Sequence, residues 1–147
     1  MDMTPKEYER YVQQKAKKSP LVKDCLFAFL IGGGICVIGQ AVNDVYTGWG
    51  LEKTDAGTAT AITMVAISAL LTGLNLYNKL ARFGGAGTLV PITGFANAVV
   101  APAIDFKSEG LITGMAVKMF TIAGPVIVYG MTASVLYGLI CWLTTVF

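Results

Sequence analysis

The last 37 residues of the chain, from Leu111 to Phe147, hold a single charged side chain, Lys118. A helix rises about 1.5 Å per residue, so the run reaches roughly 55 Å, against about 30 Å for the hydrocarbon core of a bilayer. Three more apolar stretches precede it, near residues 25–46, 58–78 and 83–106. Only 14% of the 147 residues are charged, where soluble domains usually have about 25%. The expected fold is therefore all-α: a polytopic integral membrane domain over 25–147 behind a polar arm at 1–24. About four membrane-crossing segments are expected, with broken or kinked helices. The third, 83–106, is interrupted, and the last, about 111–145, is kinked at Gly124-Pro125.

Composition also excludes chemistry. The chain has no histidine, the commonest catalytic base and metal ligand near neutral pH. Its three cysteines, Cys25, Cys36 and Cys141, are odd in number, widely spaced and set in apolar surroundings. That pattern is neither a disulfide framework nor a zinc site. No Ser–base pair and no paired intramembrane carboxylates stand out. No catalytic residue, metal site or cofactor is expected, and the chain is not expected to be an enzyme. There is no basic run with interleaved aromatics, so nucleic acid is not an expected partner. The long, mixed-charge leader and the three apolar segments after the first also argue against a cleaved signal peptide.

The arm carries six of the eleven Lys/Arg residues. Thr4-Pro5 followed by Glu7 reads as a helix start. Tyr8, Tyr11 and Val12 then share a face, which suits either a helix on the membrane surface or a solvated tail. In the first span Gly32, Cys36, Gln40 and Asn43 fall on one face, small at one end and polar at the other. Gln40 is expected to face inward, and Asp44 to mark the interface. In the second span Ser68, Thr72 and Asn75 form a polar face beside the small pair Ala69 and Gly73. Lys79 and Arg82 follow it, and Trp49 is an interfacial anchor in the loop between the spans. The positive-inside rule then puts the N-terminus and the Lys79–Arg82 segment in the cytoplasm.

The stretch "AGTLVPITGFANAVVAPAIDF", Ala86 to Phe106, is apolar enough for a bilayer yet rich in helix breakers. Pro91 cannot donate a backbone hydrogen bond and disfavours helix just before it. In lipid every backbone polar group needs an internal partner, so broken backbone survives only inside protein or along a wet cavity. Two readings stand. In one, the break exposes half-helix N–H groups that favour anions, and Gln40, Thr88, Pro91, Thr93, Gly94, Asn97 and Lys118 line a common polar path. In the other, this is a proline-kinked packing helix whose threonines bond back to their own backbone. Lys118 likewise either faces the path or snorkels to the interface. Pro102, Gly124 and Pro125 read as further breaks, and Gly130, Ser134 and Gly138 as a close-packing face. "PITGF" and "LITGM", at 91–95 and 111–115, share Ile-Thr-Gly and suggest a trace of internal repetition.

"GGGICVIGQAVND", "LLTGLNLYNKLARFGGAGTLVPITGFANAVVAPAIDFKSEG" and "KMFTIAGPVIVYG" resemble the stage V sporulation protein AC family, within the SpoVA group of spore-forming bacteria. The resemblance runs from about residue 20 to the C-terminus. The group includes similar AEb-type proteins, but "ICVIGQAVNDVY" and "FANAVVAPAIDFKSEG" point to the AC type. The resemblance implies a membrane channel component for dipicolinic acid, the pyridine dicarboxylate that accompanies Ca²⁺ in spores, taken up in sporulation and released in germination. It also implies a response to membrane tension and partners among the other SpoVA subunits, of the D and AEb types. An oligomer in the inner membrane of the forespore and spore is expected. The alternative is a non-conducting scaffold within a larger transport complex.

Overall fold

A computed structural model describes residues 4–15 and 20–146. The rest of the arm and Phe147 lie outside the described residues. Among those described there is no strand. The first helix, α1, spans Pro5–Lys15. The Thr4 backbone N–H and hydroxyl donate to Glu7 Oε2 at 2.9 and 2.8 Å, which closes its first turn. The same two bonds hold the Glu7 carboxyl below the usual carboxylate range.

Helices α2 (Leu21–Gly48) and α3 (Lys53–Gly73) form an antiparallel hairpin. Gly39 lies opposite Met64 and Asn43 opposite Thr60, so one number falls as the other rises. The turn between them uses Gly50 at φ +90°. α3 ends in a Schellman motif. Asn75 takes the left-handed conformation at φ 57°, Asn75 N–H bonds Thr72 O, and Leu76 N–H bonds Leu71 O. Asn75 is thus an exposed cap rather than a third member of the Ser68–Thr72 face.

Helix α4 (Tyr77–Gly84) carries the chain to the start of α2, where Arg82 and Phe83 share a wall with Leu21 and Asp24. After Gly85, at φ 47°, the single turn α5 (Ala86–Leu89) climbs along α2. Gly87 meets Ala28 and Gly32, and Pro91 shares a wall with Ile35, Cys36 and Gly39, near the middle of α2. There the chain turns back. Pro91, at φ −64° and ψ 159°, is extended, and α6 (Ile92–Asp105) starts after it. Ser68 bonds Thr93 and Thr72 bonds Asn97, both at an offset of 25 residues. α6 therefore runs in the same direction as α3, toward the face where α2 starts. Segment 83–106 enters from that face, reaches mid-depth at Pro91 and leaves by the same face. It is a re-entrant hairpin.

A short turn (Lys107–Glu109), then Gly110 at φ 101°, leads into one π-helical stretch (Leu111–Ala116) and the long helix α7 (Val117–Val146). Three stretches, Leu21–Gly48, Lys53–Gly73 and Leu111–Thr145, are long and apolar enough to cross a membrane. Ile92–Asp105 is the shorter apolar fourth. The expected break at Pro102 does not occur, while Pro125 lies inside its helix, which leaves room for the expected kink at Gly124-Pro125. Each proline only withholds one N–H from the carbonyl a turn earlier, which a membrane helix tolerates. The actual interruptions sit at Gly85, Pro91 and Gly110, where the backbone leaves helical geometry altogether. Both Ile-Thr-Gly triplets lie in the first turn after such an interruption, at 92–94 and 112–114. Their glycines press on the preceding backbone, Gly94 on Leu89 and Gly114 on Glu109.

Candidate functional site

Chain reversal inside an apolar protein leaves backbone groups to satisfy, and the side chains around Pro91 do this. The carbonyl of Thr88, at the end of α5, has no helical donor above it because residue 91 is proline and residue 92 starts a new helix. Tyr77, 3% exposed, donates its hydroxyl to that carbonyl at 2.8 Å. The same oxygen lies 2.9 Å from Thr93 Oγ1. A tyrosine has one proton and a carbonyl can only accept, so the Thr93 hydroxyl donates to Tyr77. Tyr77 thus ties the rising arm of the hairpin to the falling arm, on either side of Pro91.

A second set of bonds fixes α6 to α3. Ser68 donates to Thr93 O at 2.6 Å. Thr72 lies 2.7 Å from Ser68 O and 2.9 Å from Asn97 Oδ1 and shares its proton between them. Ser68, Thr72, Thr88 and Thr93 are all buried, and no buried side-chain polar atom among the described residues lacks a partner. Thr88 also bonds back to Gly85 O at 2.9 Å. Gly94 has to be small, since a Cβ there would lie 2.7 Å from the Leu89 carbonyl carbon. Shape and hydrogen bonding together define one hairpin geometry.

The residues singled out in the sequence therefore divide. Thr88, Thr93, Gly94 and Asn97 join around Pro91. Gln40 does not: it is exposed and donates to Asp44 on its own helix at 2.8 Å. Inward-facing polarity on α2 belongs instead to Asn43, bonded to Thr60 at 3.3 Å, and to Tyr46, bonded to Thr63 at 2.7 Å. The face drawn through Gly32, Cys36, Gln40 and Asn43 is about 100° per residue coarse, and Gln40 falls on its flank. Lys118 also stands apart. Its ammonium lies 4.0 Å from the centre of the Phe106 ring, beside the turn that leads into α7. Gly124, Gly130 and Gly138 face open space within 4 Å, Gly73 does likewise, and Ser134 bonds back to Gly130 O at 2.8 Å. Tyr77 gave no periodic signal, because it lies beyond the cap that ends α3.

Above the hairpin tip is a cavity of ≈ 320 Å³, walled by Cys36, Gly39, Thr60, Met64, Pro91 and Thr93 among others. The N-terminus of α6 borders it, and no side chain caps that N-terminus. The Gly94 N–H bonds back to Pro91 O at 2.8 Å, which leaves the Ile92 and Thr93 N–H groups, at the positive end of the helix dipole, at this border. On the other side of the tip, a cavity of ≈ 390 Å³ is lined by Asp24, Cys25, Ala28 and Arg82, with Leu21, Phe83, Gly85 and Ala86. Among the described residues no group of three or more Cys, Asp or Glu could hold a metal ion.

The model of the SpoVAC/SpoVAEB sporulation membrane protein family matches residues 24–140, which takes in the hairpin and, apart from Leu21, the walls of both cavities. The chain belongs to that family. It is 45% identical over 134 residues to the stage V sporulation protein AC of Bacillus subtilis (strain 168). The match takes in 90% of this chain and 89% of that relative. No solved structure matches the chain. As a SpoVAC/SpoVAEB member it is a sporulation membrane protein, in keeping with its apolar helices.

Proposed function

We propose that the chain is a conducting subunit for dipicolinic acid, moved with Ca²⁺, in the inner membrane of the forespore and spore. The observation that carries this reading is the re-entrant hairpin. Irregular backbone at membrane depth is costly and is kept where it lines a cavity, as in the discontinuous helices of transporters. Here the uncapped start of α6 ends at mid-depth against a chamber, where it favours an anion such as a pyridine dicarboxylate. Thr88, Pro91, Thr93, Gly94 and Asn97 shape the path, with the N-terminus in the cytoplasm. Opening responds to membrane tension, and the working unit is an oligomer with D-type and AEb-type SpoVA subunits.

One feature favours a scaffold role instead. Among the described residues the far half of α7 has no neighbour, and it is free to join other membrane helices. The test is reconstitution of the purified protein alone into vesicles loaded with dipicolinate, followed by an osmotic downshift. Efflux above that of protein-free vesicles supports the channel. Efflux at the protein-free level, with the protein shown to be inserted, puts the scaffold first.

A further inference from the structure

We propose that the solute path runs along one face of α2, and that the contact of Gly87 with Ala28 and Gly32 is its gate. This rests on the channel reading above and names where that channel closes. Ala28, Gly32, Cys36 and Gly39 recur at steps of four, four and three residues, so they share a helix face. The two cavities lie along this face. The ≈ 390 Å³ cavity includes Ala28 in its wall, and the ≈ 320 Å³ cavity includes Cys36 and Gly39. Arg82 and Asp24 both line the first.

Between the cavities there is no room. A Cβ on Gly32 would lie 2.9 Å from the Gly87 carbonyl oxygen and 3.0 Å from its Cα. A Cβ on Gly87 would lie 2.9 Å from Ala28 Cα. The two backbones touch, and the path is shut.

How the segments are tied decides which part moves. Among the described residues, no side-chain hydrogen bond joins α2 to α5. The side-chain bonds of the hairpin run to Tyr77, Ser68 and Thr72, that is, to α3 and α4. α2 is bonded to α3 only near its other end, through Asn43–Thr60 and Tyr46–Thr63. α2 is therefore tied by side-chain hydrogen bonds at its Asn43–Tyr46 end, while at its other end it is held by packing, on Gly87 and, through Ile31, on Gly84 of α4. Tilting α2 about its Asn43–Tyr46 end parts Gly32 from Gly87, joins the cavities and breaks no side-chain hydrogen bond. The tilt widens the subunit in the membrane plane, so tension shifts the population toward it.

Two measurements test the gate in vesicles containing the purified protein. Gly32→Ala puts a methyl group into the seam and wedges it. Its dipicolinate efflux without a downshift should rise at least tenfold over wild type. Separately, a membrane-impermeant anionic thiosulfonate is added on the side of Cys25, and modification of each cysteine is read by peptide mass. Cys25 should react at rest, and Cys36 should react at least tenfold faster during a downshift. The cysteine measurement uses the wild-type protein, so it decides the matter if Gly32→Ala fails to fold. Cys36 reacting at one rate in both conditions overturns the gate, as does wild-type efflux from a folded Gly32→Ala. If wild type conducts while these results hold, only the gate falls. If wild type passes no dipicolinate, the channel reading and the gate fall together.

Discussion

Helices α6 and α7 have much the same ingredients and quite different surroundings. Both are apolar, both carry an internal proline, and both space small and hydroxyl residues a turn apart. In α6 these features are used. Gly94 is pressed against Leu89, Thr93 is held by Ser68 and Tyr77, and Asn97 is held by Thr72. In the far half of α7 they meet no other element among the described residues. Gly130 and Gly138 face open space, and Ser134 bonds only to its own helix. The cause is topological. α6 has 14 residues and begins at mid-depth, so it can flank only the near half of a 30-residue α7. A small-residue face has a structural consequence only where the chain path delivers a neighbour.

Matched substitutions sharpen this contrast. The largest effect is expected from Gly94→Ala, whose methyl group meets backbone that cannot swing away. Overpacking of this kind costs about 1–3 kcal/mol, and thermal unfolding in detergent should show it as a clear loss of midpoint. The partner variant Gly130→Ala should leave the midpoint unchanged or raise it, since alanine favours helix over glycine by about 1 kcal/mol. A loss at Gly130 equal to that at Gly94 would mean that α7 packs as tightly as α6, and the contrast would break.

Next is Tyr77→Phe, which keeps the buried ring and removes the hydroxyl that joins the two arms. Leaving the Thr88 carbonyl without a partner should cost about 1–3 kcal/mol. Hydrogen exchange should rise selectively at 86–95 while α7 stays unchanged; uniform exchange along the chain would count against a local tie. A smaller difference separates the two serines. Ser68→Ala removes a bond between helices and should cost about 1 kcal/mol, whereas Ser134→Ala should be close to neutral in the same unfolding measurement. The smallest effect is expected at the base of α7. Lys118→Gln removes the ammonium from the Phe106 ring, worth about 0.5–1 kcal/mol, and should shift the midpoint only slightly. A drop as large as that of Gly94→Ala would show that Lys118 anchors more than one ring.

Much of the local structure was legible along the chain. Pro91 marked the interruption because it has no N–H to donate and disfavours helix in the residue before it. Pro102 and Pro125 carried the same letter but not the same outcome. A proline amid strong helix-compatible neighbours costs one hydrogen bond, and the helix runs on. Thr88, Thr93 and Asn97 were recognisable as polar groups with no place in lipid. Their partners were not: Tyr77 lies 16 residues from Thr93, and Ser68 and Thr72 each lie 25 residues from theirs. Gln40 failed for a finer reason. One helical step of about 100° separates the inside of α2 from its flank, and sequence spacing alone does not say where α3 sits.

The sequence by itself determined that this chain is a bundle of apolar helices for a membrane and that one segment could not stay continuous. Those properties follow from hydropathy, from the missing N–H of proline and from the demand that every backbone group in lipid be paired. Only the tertiary structure decided that 83–106 turns back rather than crosses. That depends on which face of α3 receives α6, and so on contacts between residues far apart in the chain. The same long-range contacts decided that Gly87 closes on α2 while Gly130 closes on nothing. Glycine permits a close approach, and the path of the rest of the chain determines whether anything approaches.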